Sequence, residues 1–146
     1  MSGIIVGVDG SGHSQRALEW AMKEAAIRQV PLTVLTVHEA IRGYYSGMAV
    51  YPDDPARTEQ ARAAAQAETD EVLEKLDGRR PDSVTVKAVH GFPVEELINA
   101  GKDADILVLG SRGAGGFTRL MMGSVGGQVA QHAHCPVLIV PPEDRA

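Results

Sequence analysis

Five short runs rich in valine, isoleucine and leucine recur along the chain, and they limit its possible folds more than any other feature. The runs are GIIVGV (3–8), PLTVLTV (31–37), SVTVKAV (83–89), DILVLG (105–110) and PVLIV (136–140). The first, fourth and fifth are almost continuously apolar, which is typical of strands buried on both faces of a parallel sheet. None approaches the length of a membrane-spanning helix. We therefore predict five short strands.

Segments with helical periodicity separate these runs. In the first segment the apolar residues recur on one helix face, at Leu18, Ala21, Met22 and Ala25. Three further segments cover 55–78, 92–101 and 124–133. Pro55 suits the start of the second helix and Gly78 its C-cap, and Gly101 suits the end of the third. The alternation of strands and helices predicts right-handed crossovers and an α/β fold, an open parallel sheet with helices on both faces.

Length, charge and cysteine content narrow the class of protein. A chain of 146 residues without linker or repeat is expected to form one domain, 1–146. The net charge of -5, without a cluster of lysine and arginine, makes nucleic acid or an anionic membrane a poor partner. The start of the chain lacks the pattern of a signal peptide. Cys135 is the one cysteine, which fits a reducing cytoplasm and is interpreted as a small packing residue.

The stretch GSRGAGGFTRLMMGS (110–124) follows the fourth predicted strand and leads into the last predicted helix. Glycines let a backbone turn sharply and present its N–H groups without obstruction. The helix that follows adds unpaired N–H groups and the positive end of its dipole, which together favour phosphate. Ser124 adds a hydroxyl, and Arg112 and Arg119 add positive charge. A flexible loop with Ser124 as a simple N-cap is the alternative interpretation.

Two common phosphate-binding motifs are absent. Gly101-Lys102 is followed by Asp103, so the chain lacks the GxxxxGK[ST] loop. The first strand is followed by GVDGSG (7–12), whose glycines do not have the GxGxxG spacing. Asp9 in that turn would repel a pyrophosphate but could accept a hydrogen bond from a sugar or a base, or bind a divalent cation through water. Capping of the following helix is the alternative role of Asp9. We therefore expect phosphate at the fourth strand–helix junction and a less anionic group near Asp9.

Other candidate groups give weaker signals. The segment 38–54, which contains all three tyrosines, is long for its place between a strand and a helix, and either a lid or an ordinary surface loop would explain it. His13 and His38 could lie near the strand ends and a ligand bound there. No nucleophile with a matched base can be recognised, so no catalytic residue is assigned.

At this point the sequence resembles a known family. Gly110 and Gly113 are two residues apart, and nine residues separate Gly113 from Gly123-Ser124, which reproduces the pattern G-2x-G-9x-G-[ST]. The nucleotide-binding branch of the universal stress proteins carries this pattern. The opening VGVDGSGHSQRAL and the ending GSVGGQVAQHAHCPVLIVP are also similar to that family, so the resemblance covers essentially the whole chain.

The resemblance implies a Rossmann-like sheet of strand order 3-2-1-4-5 that binds ATP, with Mg²⁺ as a candidate companion, often as a dimer. Carried over by position, the implied site consists of Asp9, Gly10 and Val37 at the adenine–ribose end and of Gly110, Gly113, Gly123, Ser124 and Val125 around the ribose and phosphates. The neighbouring Ser11 and Arg112 complete the candidate set. One departure is Gly126, where many members carry a small hydroxyl residue.

Three functions remain open at the level of sequence. We favour a cytoplasmic regulatory or stress-response protein in which ATP sets conformation or partner affinity. The alternatives are a slow ATPase and a protein-interaction module, including one that binds another adenine nucleotide such as cyclic AMP. In the implied strand order PVLIV is an edge of the sheet, and a bare apolar edge favours pairing with another chain. We therefore expect a homodimer through residues 137–140.

Overall fold

The computed structural model describes residues 3–10, 14–39, 54–111 and 125–141, and its centre is a five-stranded parallel sheet. The order across the sheet is β3-β2-β1-β4-β5, which confirms the predicted fold class and strand order. The strands are β1 (Ile4–Val8), β2 (Leu32–Glu39), β3 (Val84–Gly91), β4 (Ile106–Gly110) and β5 (Val137–Val140).

Helices cover both faces of this sheet. The first apolar cluster joins α1 (Gln15–Arg28) and α2 (Pro55–Lys75) to one face. The second joins α3 (Pro93–Ala100) and a helix that includes residues 125–132 to the other face. The chain thus winds outward from β1 to β3 and then crosses to β4 and β5. Between β1 and β4 lies the point where the strand order reverses, which is the usual place for ligands in open α/β sheets.

Local sequence accounts for most helix positions. The four apolar residues predicted for one face of α1 are all fully buried. Asp54 caps α2, because its carboxylate accepts a hydrogen bond from the Ala56 N–H at 3.1 Å, and Pro55 follows as the first helical residue. Gly101 is the C-cap of α3, as predicted.

The predicted end of α2 at Gly78 is wrong. The helix ends at Lys75, and Leu76 turns into the extended conformation so that its side chain packs against the core. Gly78 lies beyond this end with a φ of 87°, a conformation that glycine adopts readily, so it belongs to the turn that follows the helix.

The prediction that β5 is buried on both faces is also wrong. β1 and β4 are largely buried, but β5 leaves 41% of Ile139 exposed, because among the described strands it pairs with β4 alone, at the edge of the sheet. β2 and β3 each continue two residues further than predicted, since their pairing extends to Glu39 and Gly91. Within the described residues, no helix is long and apolar enough to cross a membrane.

Candidate functional site

Three of the candidate residues lie at the carboxyl ends of neighbouring strands. β1 pairs with β2 as far as Val8 and Thr36, so Asp9 follows at the level of Val37. β1 pairs with β4 only as far as Val6 and Val108, although β4 continues to Gly110. Neighbouring strands are about 4.8 Å apart. Asp9, Val37 and Gly110 therefore lie at the carboxyl ends of adjacent strands, where the strand order reverses.

The turn after β1 combines a carboxylate with an open backbone. Asp9 is partly buried, and its Oδ2 atom has almost no exposed surface. Gly10 follows with a φ of 81°, a conformation that side chains disfavour. No atom of the described residues lies within 4 Å of the position that a Cβ would take at Gly10, so its requirement for glycine comes from the backbone conformation. The backbone at Gly10 is accordingly accessible from solvent.

The end of β4 presents a backbone held by its pairing with β5. Gly110 is buried and pairs with Val140, and the Ser111 N–H donates to the Val140 carbonyl at 3.0 Å. The Arg16 guanidinium on α1 donates to the Pro141 carbonyl at 2.9 Å, which fixes the end of β5 next to α1. The chain therefore enters its glycine-rich stretch from a rigid position.

The start of the last helix is anchored by apolar contacts. Val125 is buried in the second apolar cluster. A Cβ at Gly126 would lie 3.4 Å from Ile139 Cδ1, which is an ordinary van der Waals contact, so a small side chain would fit there. Packing in the described residues therefore does not explain the departure at Gly126.

A carboxylate that the sequence did not indicate approaches Asp9 from α2. Glu68 is half-buried, and its Oε1 atom is buried without a hydrogen bond from the described residues. Burial raises the pKa of Glu68 to about 7, with smaller contributions from the charges of Asp9 and Glu71, whereas a hydrogen bond from Ser14 opposes the rise. Sequence alone could have flagged Glu68, because it flanks the buried positions 65, 69 and 72 on α2.

These groups make the two sides of the strand reversal electrically different. On the side of β1 and β2, Asp9, Glu68 and Glu71 place carboxyl groups close together, and Gln15 Nε2 donates to Glu71 Oε1 at 3.5 Å. On the β4 side, Gly110, Ser111 and Val125 bring no charge. A polyphosphate would be repelled near Asp9 and is better placed beyond β4.

Several predicted residues lie outside the described part of the chain. They are Ser11, His13, Arg112, Gly113, Arg119, Gly123 and Ser124, and residues 40–53 of the tyrosine-containing segment also fall there. Their assignments stay predictions. Cys135 packs in the second apolar cluster against Gly101, and burial raises the pKa of its thiol, in keeping with a packing role.

Comparison with known proteins gives one consistent family. The model of the "Universal stress protein family" matches residues 1–141. Universal stress protein Rv2005c of Mycobacterium tuberculosis is 33% identical over 148 residues, which is 97% of this chain and 48% of that protein. The chain therefore spans about half the length of the curated relatives that it matches.

Solved structures agree with this assignment. Universal stress protein UspA from Lactobacillus plantarum superposes with a TM-score of 0.69 at 25% identity, covering 95% of this chain and 97% of that one. A universal stress protein solved in complex with cAMP superposes with a TM-score of 0.64 at 26% identity, covering 95% of each chain. The resemblance detected in the sequence is confirmed.

Proposed function

This chain belongs to the universal stress protein family, and on that premise we propose that it is a regulatory module that binds an adenine nucleotide, with ATP as the preferred ligand. The observation that carries the proposal is the convergence of Asp9, Val37 and Gly110 at the carboxyl ends of three adjacent strands. The cAMP complex of a relative supports the class of ligand.

The nucleotide is proposed to lie with its adenine and ribose near Asp9, Gly10, Ser11 and Val37. The accessible backbone at Gly10 and the half-buried carboxylate of Asp9 suit the hydroxyl and N–H groups of a nucleoside. The phosphates, with Mg²⁺ where ATP is bound, are proposed to lie against Gly110, Arg112, Gly113, Gly123, Ser124 and Val125. The described end of β4 carries no charged side chain that would repel phosphate, which supports placing the phosphates there.

Thermal unfolding with a panel of nucleotides tests this proposal. ATP at a hundredfold excess over its dissociation constant should stabilise the fold by about 2.7 kcal/mol. For a domain of this size the melting temperature should rise by roughly 5–10 °C. AMP, cyclic AMP and adenosine should give smaller increases, and GTP should give none. If no adenine nucleotide raises the melting temperature, the chain is an interaction module without a functional nucleotide site.

The nucleotide is proposed to act as a regulatory ligand in the cytoplasm and not as a substrate. The free cysteine, Cys135, fits a reducing compartment. Single-turnover measurements should show ATP persisting far longer than in efficient enzymes, which turn over about 1–100 times per second. Turnover faster than about once per minute, retained after repurification and lost in Gly123→Val, would instead identify a slow ATPase.

We also propose a homodimer in which β5 of one chain meets β5 of another. This edge strand leaves Ile139 41% exposed and has hydrogen-bonding groups on its outer side. Light scattering should give the mass of a dimer, and Ile139→Lys should give a monomer, since an edge lysine opposes pairing. Ile27→Lys is the matched control, because Ile27 is 66% exposed on α1. A monomer mass for the wild-type chain at micromolar concentration would contradict the proposed dimer.

A further inference from the structure

Two histidines meet at the carboxyl ends of β2 and β3. His38 and His90 are paired directly in the register of the parallel ladder, so their side chains project on the same side of the sheet. Their ring centroids are 5.4 Å apart and the ring planes are inclined by 41°. Both residues are partly exposed. The pair thus combines a fixed backbone separation with access from solvent.

The spacing of the rings suits chelation of one metal ion. With metal–nitrogen bonds of about 2.0–2.1 Å and one nitrogen from each ring, tetrahedral or octahedral geometry places the ring centroids roughly 4.5–5.5 Å apart. The observed 5.4 Å lies within that range. The inclination of 41° corresponds to neither the parallel stack nor the perpendicular arrangement that aromatic pairs prefer.

We propose that His38 and His90 together form a chelating site for a transition-metal dication of the Zn²⁺, Ni²⁺ or Cu²⁺ class. Imidazole nitrogen suits these ions, whereas Mg²⁺ and Ca²⁺ require oxygen ligands. Among the described residues no set of three or more histidine, cysteine, aspartate and glutamate side chains is arranged to hold a metal. From the described part of the chain, two imidazoles are therefore the ligands of the proposed site, and water would complete the coordination shell.

The site is separate from the proposed nucleotide site and does not depend on it. His38 and His90 share the sheet face of Val34 and Val86, which belong to the cluster with α1 and α2. Val37 has the opposite orientation and packs in the cluster with α3. The metal would therefore lie beside the proposed adenine end, on the sheet face opposite Val37 and on the α2 side from which Glu68 approaches Asp9, two strands away from β4.

Titration calorimetry with Ni²⁺ on nucleotide-free, chelator-treated protein tests the site. The wild-type chain should bind Ni²⁺, and His38→Gln and His90→Gln should each weaken that binding by about tenfold or more, since a chelate needs both rings. His132→Gln is the matched control, because it removes an exposed histidine from the last helix, and it should leave the affinity unchanged. Mg²⁺ should produce no heat in this nucleotide-free protein.

Three results would overturn the proposal. They are a wild-type dissociation constant above about 1 mM, an unchanged affinity in both glutamine variants, and an equal loss in the His132 variant. Paramagnetic Ni²⁺ also permits a test on the unaltered chain. The NMR signals of the His38 and His90 rings should broaden before those of His132 and His134, and the reverse order would place the metal elsewhere. Loss of nucleotide binding alone leaves each of these results unaffected.

Discussion

The two sides of the strand reversal present different chemical groups, carboxyl side chains on the β1 side and backbone atoms on the β4 side. On the β1 side, Asp9 and Glu68 lie close enough for the charge of one to raise the pKa of the other, and Glu71 adds a third carboxyl group. On the β4 side, Gly110 and Ser111 offer backbone atoms tied into the ladder with β5. One side is defined by side-chain charge and the other by backbone geometry.

This difference predicts how a nucleotide would be oriented and which changes would matter on each side. A carboxylate accepts hydrogen bonds from neutral sugar and base groups but repels phosphate. Backbone N–H groups and a helix N-terminus attract phosphate without needing a cation. Substitutions near Asp9 should therefore affect adenosine and ATP alike, whereas substitutions in the glycine-rich stretch should affect only ligands that carry phosphates.

The largest effect is expected from Gly123→Val. A branched Cβ next to the proposed phosphate position would obstruct the ligand or the turn of the backbone, so the stabilisation by ATP, about 2.7 kcal/mol at a hundredfold excess, should disappear. Differential scanning fluorimetry with and without ATP measures this. Gly127→Val is the matched control, since Gly127 is helical and no atom of the described residues lies within 4 Å of its Cβ position. Equal loss in both variants would contradict a phosphate role for Gly123.

Asp9→Ala should have the next largest effect. A hydrogen bond to a charged group contributes about 1.5–3 kcal/mol, so the variant should weaken adenosine and ATP by similar amounts within that range. Calorimetric titration of both ligands gives the two losses. The prediction fails if ATP affinity improves, because that result would mean that Asp9 faces the phosphates.

Glu68→Gln tests the pH dependence of the acidic side. The pKa of Glu68 is about 7 in the folded chain against an ordinary value of 4.5, so the folded state holds more protons between these pH values. The free energy of unfolding should therefore fall as pH rises from 4.5 through 7. Because this half-buried carboxylate is partly screened by solvent, the cost above pH 7 is about 1–2 kcal/mol.

Urea unfolding at pH 5 and pH 8 measures that contribution. The free energy of unfolding of the wild-type chain should be lower at pH 8 than at pH 5 because of Glu68. In Glu68→Gln this contribution to the difference should disappear. Glu74→Gln on the same helix is the control, because Glu74 is exposed and should leave the pH dependence in place. If the two variants behave alike, Glu68 is not the group responsible.

The sequence was sufficient to predict the five strands of the sheet and the α/β fold class. Continuous apolar runs and the apolar stripe of α1 are local patterns that can be found in the sequence. The alternation of strands and helices then predicts the α/β fold class. The sequence could flag Glu68 as a residue beside the buried positions of α2, but it could not predict the approach to Asp9, because that is a tertiary contact between residues far apart in the chain. The contact between His38 and His90 could not be predicted from the sequence for the same reason, because the register between strands is set by the whole ladder.

The smallest effect, and the sharpest comparison, comes from Ser124→Ala. If Ser124 donates a hydrogen bond to a phosphate, the variant should weaken ATP by about 0.5–1.5 kcal/mol and leave adenosine unchanged. If Ser124 is only an N-cap, the variant should lower the stability of the free chain by about 1 kcal/mol, and any loss of affinity should be equal for the two ligands. Ser124→Thr keeps both the hydroxyl and the capping oxygen and should therefore preserve ATP binding. Parallel titrations of ATP and adenosine into the alanine and threonine variants thus separate a backbone-and-hydroxyl phosphate site on the β4 side from an ordinary helix start.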